Sequence, residues 1–349
     1  MNFRSDNVVP VCPEILDAVV RANAGTAPSY AADAWTKRAE RALGEIFECE
    51  VAALPVVTGT AANALSLATV TPAYGAIYCH AEAHILLEEA GAPEFYAGGA
   101  KLVPLPGSHG RFGGKTLENA VALAEAGGVH WAKPSAVSIT QSTEAGTVYA
   151  PEAVADIAAR GKAHGLAVHM DGARLANAVA ALGCTPAEAT WKRGVEVLSF
   201  GATKNGALAA EAVVLFKPTA AARQRLAYLH KRGGHLVSKM RFVSAQLEAY
   251  VAGGLWLRNA RHANAMAARI GKGLAAIPGA TLEHPVEANE VFVRLAAPAI
   301  DALLADGVGL GRWGAAGTTL VRLVASYATT QAEVDSFLAL AKKRVAEAR

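Results

Sequence analysis

The sequence is poor in cysteine. Its four residues, Cys12, Cys49, Cys79 and Cys184, lie far apart, with no C-x-x-C pair among them. That spacing argues against a disulfide framework or a zinc site, and buried free thiols are expected. Long apolar runs are missing as well: no stretch of about eighteen uncharged apolar residues exists, so no transmembrane helix is expected. The opening residues, Met1-Asn2-Phe3-Arg4-Ser5-Asp6, carry charge where a signal peptide has its apolar core, and the expectation is a cytoplasmic protein. Charge of one sign is scarce too. Against 33 Lys and Arg stand 30 Asp and Glu, and no block of five like charges occurs. Attraction to a polyanion needs a basic patch, so neither nucleic acid nor a membrane is an expected partner.

What is present is apolar surface to bury. Of 349 residues, 52% are hydrophobic, only 6% are aromatic and 33 are glycine. With a mean hydropathy of +0.24 this is no disordered chain, and small residues suit helices packed closely on a sheet. Helical periodicity runs through residues 16–24 and 35–47, and Pro151 opens a helix that Gly165 stops. Short apolar runs at 54–57, 76–80, 101–105, 136–140, 166–171, 195–200 and 212–216 read as strands. Strands alternating with helices predict an α/β fold: a mostly parallel central sheet covered by helices on both faces. After residue 217 the pattern changes to long helices at 219–230, 236–252 and 256–277. Two strand candidates follow, at 290–295 and 319–325, with helices near Ile300 and from Gln331 on. The expected division is an N-terminal segment 1–15, a large domain 16–250 and a smaller C-terminal α+β domain 251–349.

Three short segments carry chemistry. Thr58-Gly59-Thr60-Ala61-Ala62-Asn63 follows a strand and opens an Ala-rich helix. Glycine there permits close backbone approach, and a helix N-terminus suits a phosphate, although a plain Thr-capped turn explains the same residues. His169-Met170-Asp171-Gly172-Ala173-Arg174 places a carboxylate at the end of an apolar strand, where α/β proteins bind ligands; an ion pair is the plainer reading. Ser199-Phe200-Gly201-Ala202-Thr203-Lys204-Asn205-Gly206 sets a lysine among small residues after the next strand, 33 residues beyond Asp171. Alone it is a solvated loop lysine. Together the three match one cofactor, pyridoxal 5'-phosphate (PLP), which needs a lysine for its aldehyde, an acid for its ring nitrogen and a cradle for its phosphate.

With these segments in view, the chain resembles the threonine aldolase branch of the β-eliminating lyase family, PLP enzymes of fold type I, the aspartate aminotransferase-like fold. Phe3-Arg4-Ser5-Asp6-Asn7, Lys231-Arg232-Gly233-Gly234-His235-Leu236, and Arg322 ahead of Ser326-Tyr327-Ala328-Thr329-Thr330 add to the likeness, which covers nearly the whole chain. Low-specificity L-threonine and phenylserine aldolases are the members it resembles.

The resemblance implies roles residue by residue. Lys204 holds PLP as a Schiff base, Asp171 pairs with the pyridine nitrogen, and Gly59 and Thr60 bind the phosphate. Arg174 meets the ring hydroxyl side or the substrate carboxylate, and Ser5 and Arg322 bind that carboxylate. His84 stacks on the ring, with Glu88 orienting it and His80 as the competing assignment. His130 matches a second active-site histidine, unless it simply faces solvent. His84 or His130 is then the candidate base for the β-hydroxyl proton. Tyr30, with Lys231 and Arg232, matches residues lent to a neighbouring subunit, or else makes ordinary surface contacts. A homo-oligomer is therefore implied, at least a dimer and by expectation a tetramer, and no metal is called for. Residues 141–144, Gln-Ser-Thr-Glu, depart from the family's E-N-T-H-N segment, which puts the aldehyde side of the pocket in doubt.

The implied reaction cleaves a β-hydroxy-α-amino acid to glycine and an aldehyde. The alternative within the wider family is a PLP lyase releasing a keto acid and ammonia. A ligand-binding protein that merely keeps the fold is the reading from another class; the joint presence of Lys204, Asp171 and Arg322 argues against it.

Overall fold

A computed structural model describes residues 1–315 and 317–349. Seven strands form the central sheet: β1 (Val51–Val56), β2 (Gly75–His80), β3 (Lys101–Leu105), β4 (Lys133–Thr140), β5 (Ala167–Gly172), β6 (Val197–Gly201) and β7 (Glu211–Phe216). Their order across the sheet is β1-β7-β6-β5-β4-β2-β3. The four pairings from β3 to β6 are parallel, and β7 runs antiparallel to both of its neighbours. The mostly parallel sheet expected from the alternating pattern is thus present. β2, β6 and β7 are buried along their whole length, as strands covered on both faces must be.

Four shorter strands make a second, antiparallel sheet: β8 (Thr281–Leu282), β9 (Glu290–Arg294), β10 (Gly311–Arg312) and β11 (Leu320–Val324), in the order β10-β11-β9-β8. The helix Leu255–Ala275 joins the two parts. Its first turns place Trp256 and Ala260 in the large apolar core with Phe200 and Tyr250, and its last turns place Ile270 and Leu274 in the small one. The N-terminal segment is stitched onto the small sheet. Phe3 donates its N–H to Gly309 O at 2.7 Å and accepts from Val324 N–H at 2.8 Å, while its ring packs on Phe337 with centroids 5.1 Å apart. That anchorage delivers Ser5 and Asp6 to the edge of the central sheet.

Element ends shift where the apolar pattern is a poor guide. β1 starts at Val51, because Ala52 and Ala53 are buried and paired with β7 although their side chains are small. The helix expected over 236–252 is confined to Arg241–Val251. Gly234 adopts a left-handed φ of +76°, which breaks the chain between it and the preceding helix Ala220–Arg232. The helix Leu175–Leu182, which periodicity does not mark, is buried along residues 175–179 and so shows no polar stripe there.

Among the described residues no helix is long and apolar enough to cross a membrane.

Candidate active site

The parallel strands end along one edge of the central sheet, and the residues that follow them converge there. After β1 comes the 58–60 turn, after β2 His84, after β4 the loop through Glu144, at the end of β5 Asp171, and after β6 Lys204. The start of the antiparallel β7 adds Glu211, paired with Val56 on one side and Gly201 on the other. These residues, with Asn7, Asn63, Glu89 and Arg174, line a cavity of about 340 Å³. The C-terminal edge of a parallel sheet is where such folds place their ligands, because helices beginning there direct N–H groups inward.

The helix Gly59–Val70 supplies one wall. Thr58 caps it by accepting the Ala61 N–H on Oγ1 at 3.1 Å. The amides of Gly59 and Thr60, ahead of any intrahelical acceptor, stay available, and a side chain at Gly59 would meet nothing within 4 Å. One turn on, Asn63 Nδ2 donates to Asp171 Oδ2 and to Glu89 Oε1, each at 2.8 Å. The second Asp171 oxygen accepts from the Ala173 N–H at 3.0 Å. Glu89 in turn takes the Nδ1 of His84 at 2.9 Å. That bond is the largest influence on the imidazole and raises its pKa, and the Asp171 charge adds to it.

A second charged group lies beside Asp171. Asp6 grips Arg174 with both oxygens, at 2.8 and 3.0 Å, and Glu290 lies 3.3 Å from the same guanidinium. Burial disfavours the Arg174 charge, but the two carboxylates outweigh it and the pKa is raised. Burial likewise works against Asp6, and Arg174 more than reverses it, holding this carboxyl below its usual range. Arg322, in β11, stands 3.6 Å from Glu290 and stacks over the Trp313 ring at 4.4 Å.

Two more carboxyls face the cavity with raised affinity for protons. Glu144 accepts the His84 backbone N–H at 2.8 Å and the Thr140 hydroxyl at 2.9 Å. Burial pushes it up to about 7. Glu211 is also lifted to about 7 by burial, with Thr203 and the Lys204 charge pulling the other way. Behind the site, His169 is enclosed between the Ser138 and Ser199 hydroxyls at 2.8 and 2.9 Å. Burial lowers it to about 4, so it stays neutral.

Of the residues singled out in the sequence, Gly59, Thr60, His84, Asp171, Arg174 and Lys204 line the one cavity. Ser5 sits beside it, accepting the Asn7 N–H at 3.1 Å. Arg322 lies outside the lining and reaches the site through Glu290. His80 is buried apart from it, which leaves His84 as the histidine of the cavity. The orienting acid is not Glu88, which is exposed, but Glu89, whose side chain is fully buried. The short helix His84–Leu87 ends before it, and the turn that follows points Glu89 inward. His130 is exposed in the turn Gly128–His130 just before β4, at the opposite edge of the sheet, so it does not reach its own chain's cavity. Tyr30, 51% exposed, lies under Lys231 Nζ at 4.6 Å and also stands away from the cavity. Residue-by-residue reading missed the roles open to Asn63, Glu89, Glu144, Glu211 and Glu290. For Glu211 and Glu290 a signal exists: each is an acid opening a strand, directly ahead of an apolar run (212–216 and 291–293).

PLP fits this donor set. The free N–H groups at the head of Gly59–Val70 suit a phosphate, and Asp171, held by Asn63 and Ala173, suits a protonated ring nitrogen. Lys204 suits an aldehyde, and the half-exposed His84 ring suits the face of an aromatic ring. Asn63 Oδ1 and Glu89 Oε2, buried and without partners among the described residues, show that this polar wall is not closed upon itself.

Comparison with known proteins points the same way. A family model for beta-eliminating lyases matches residues 2–298. A low specificity L-threonine aldolase from a Pseudomonas species is 41% identical over 341 residues, covering 97% of this chain and 96% of its own. Another, from Pseudomonas aeruginosa, is 42% identical over 305 residues, covering 87% of each chain. Among solved structures, a threonine aldolase from Leishmania major superposes with a TM-score of 0.91 at 30% identity, over 99% of both chains.

Proposed function

This chain belongs to the beta-eliminating lyase family, and on that premise we propose that it is a PLP-dependent aldolase of low specificity. It cleaves L-β-hydroxy-α-amino acids (L-threonine, L-allo-threonine and phenylserine) to glycine and an aldehyde. The observation that carries this reading is the convergence of Lys204, Asp171, His84 and the 58–60 turn on one cavity.

PLP, when bound, supplies an electron-accepting ring for the pair released by the breaking Cα–Cβ bond. The rest falls to this chain. Lys204 would hold the cofactor through its aldehyde. Asp171, its carboxylate fixed by Asn63 and Ala173 at 2.8 and 3.0 Å, keeps the proton on the ring nitrogen. Gly59 and Thr60 seat the phosphate. Arg174, with Ser5 and Arg322, fixes the substrate carboxylate and so orients the bond to be broken. His84 would pack against the cofactor ring and is the cavity histidine able to take the β-hydroxyl proton. His130 is given no role in its own chain's cavity. The division at 1–15, 16–250 and 251–349 is part of the same proposal. Two separate apolar cores support a large and a small part, although the large core takes in Cys12 and Ile15 and runs on through Val251, Leu255, Trp256 and Ala260, and Phe3 belongs to the small one.

The working unit is a homo-oligomer, at least a dimer and by expectation a tetramer. Tyr30, Lys231 and Arg232 lie outside this chain's cavity and are the candidates to complete a neighbour's. Large exposed apolar side chains such as Phe95 and Tyr228 support a covered surface. Light scattering alongside activity tests this: a fully active monomer would refute it.

Two experiments test the site and the reaction. Borohydride reduction of PLP-loaded protein, followed by peptide mapping, should place the label on Lys204; a label on Lys217 or Lys231 would overturn the assignment. An amino-acid panel should yield glycine with an aldehyde, whereas pyruvate and ammonia would move the chain to the eliminating branch.

A further inference from the structure

Glu290 opens β9, and its side chain has no exposed surface. Its Oε2 is 3.3 Å from Arg174 Nη1, and its Oε1 is 3.6 Å from Arg322 Nη1. Despite these two cations, neither oxygen has a hydrogen-bond partner among the described residues, and Arg322 Nε has none either. The backbone of Gly146 presses on it from the loop that carries Ser142 and Glu144. A Cβ at that position would lie 2.9 Å from Glu290 Cβ, and φ there is +72°. Glu290 is therefore a caged carboxylate between two arginines, attracted by both and hydrogen-bonded to neither.

The charges around it balance before any ligand arrives: Asp6 and Glu290 against Arg174 and Arg322. An amino-acid carboxylate brings a third negative charge to the same guanidinium pair. Acids crowded at one site cannot all stay ionised, and the one least supported by hydrogen bonds takes the proton. Asp6 has two bonds from Arg174 and a third from Asn289 Nδ2 at 3.1 Å. Glu290 has none.

Building on the function proposed above, we infer that Glu290 takes up a proton when a substrate carboxylate docks on Arg174 and Arg322. It is a positioning residue, which keeps the two guanidiniums paired in the empty site and releases them to the substrate as it becomes neutral. The proton comes from solvent and no covalent bond changes. The charged groups facing Glu290 are Arg174 at the head of the helix Leu175–Leu182, Arg322 on β11, Asp6 in the N-terminal turn and Lys204 after β6. The last contributes no free ammonium while it carries the cofactor. Burial raises the Glu290 pKa against the pull of the two arginines, and an added anion acts in the same direction as burial.

Uptake of a proton on binding means that binding weakens as pH rises. The test is titration calorimetry of the PLP-loaded protein near about pH 7.5, in buffers of different protonation enthalpy. The probes are glycine and methylamine, both ammonium ions at that pH. Only glycine carries a carboxylate. Wild type should take up close to one more proton with glycine than with methylamine. Relative to methylamine, its glycine dissociation constant should also rise by up to about tenfold per pH unit. In Glu290→Gln both differences should vanish. Equal proton counts for the two probes in wild type would overturn the inference without any variant. A glycine-over-methylamine excess that persists undiminished in Glu290→Gln would overturn it as well. If glycine fails to bind wild type while PLP is retained, the functional reading itself falls, and this inference with it.

Discussion

His84 Nδ1 lies 2.9 Å from Oε1 of Glu89, and the same oxygen takes an N–H from Asn63, whose other contact is Asp171. A single amide nitrogen thus ties the carboxylate under the histidine to the carboxylate at the end of β5. Proton affinity at His84 and charge at Asp171 are set within one connected group, so a change at either end is felt at the other.

Glu89→Gln should lower the His84 pKa, read by imidazole NMR titration. The sign for stability follows from the raised folded-state value. The pair's contribution is complete below the unfolded histidine pKa, about 6.5, and is lost as pH rises through the folded one. The urea-midpoint gap between wild type and Glu89→Gln should therefore narrow from mildly acid to mildly alkaline pH. A gap that stays constant would show that the pair holds no proton.

Asp171→Asn should keep PLP but lose most turnover. Asparagine keeps one acceptor oxygen for the Ala173 N–H, while its NH2 cannot accept from Asn63 Nδ2. With one hydrogen bond lost, the cofactor dissociation constant should move by about tenfold or less. The fixed charge aimed at the ring nitrogen is gone, and losing one such preorganised group costs on the order of 100- to 1,000-fold in kcat. Steady-state kinetics with cofactor titration separates the two effects, and near-normal turnover would remove Asp171 from its role.

What the sequence revealed and what it hid divide along a physical line. Asp171 and Lys204 stand out because each follows an apolar strand, and strand ends in a parallel sheet share one edge. The 58–60 turn is legible for the same reason. Glu89 is hidden because its approach to His84 depends on a turn after a four-residue helix, which no periodicity marks. Glu211 meets the lysine turn only because β7 runs antiparallel between β1 and β6, a pairing that a pattern of apolar runs does not disclose. His130 shows the converse. Its neighbourhood in sequence is suggestive, but the turn before β4 leaves it at the far edge of the sheet.

Glu211→Gln should stabilise the cofactor-free protein at neutral pH. Burial lifts the folded-state pKa to about 7, above an unfolded value near 4.3. Between those values the native state holds more protons than the unfolded one, so wild type loses stability as pH rises through that window. Glutamine titrates nowhere, and the gap should open from about pH 4.5, level off above about pH 7 and amount to on the order of 3–4 kcal/mol. Urea melts across that range check it; a flat difference would mean that Glu211 ionises without cost.

Substrate choice follows from which atoms of the substrate the charged residues reach. Arg174, gripped by Asp6 and backed by Glu290, and Arg322 beyond it are suited to a carboxylate; Lys204 and Asp171 are suited to the cofactor. None of these contacts extends to the β-substituent, which is left to the side of His84, Ser142 and Glu144. Exchanging the carboxylate and hydrogen on Cα would pull the substrate carboxylate off Arg174 and leave that carboxylate without a cationic partner in the cavity. Discrimination there should be strict, and D-threonine should not be cleaved measurably. At Cβ the exchange swaps a methyl group for a hydrogen in packing alone. Such differences are worth about 1–3 kcal/mol, or roughly 10- to 200-fold. L-threonine and L-allo-threonine should therefore both be substrates, with kcat/KM values within about 200-fold of each other, and phenylserine should join them. Steady-state kinetics on the four threonine stereoisomers decides the matter. Efficient cleavage of D-threonine, or absolute selection between the two L-isomers, would mean that contacts at the β-carbon, rather than the arginines, govern the site.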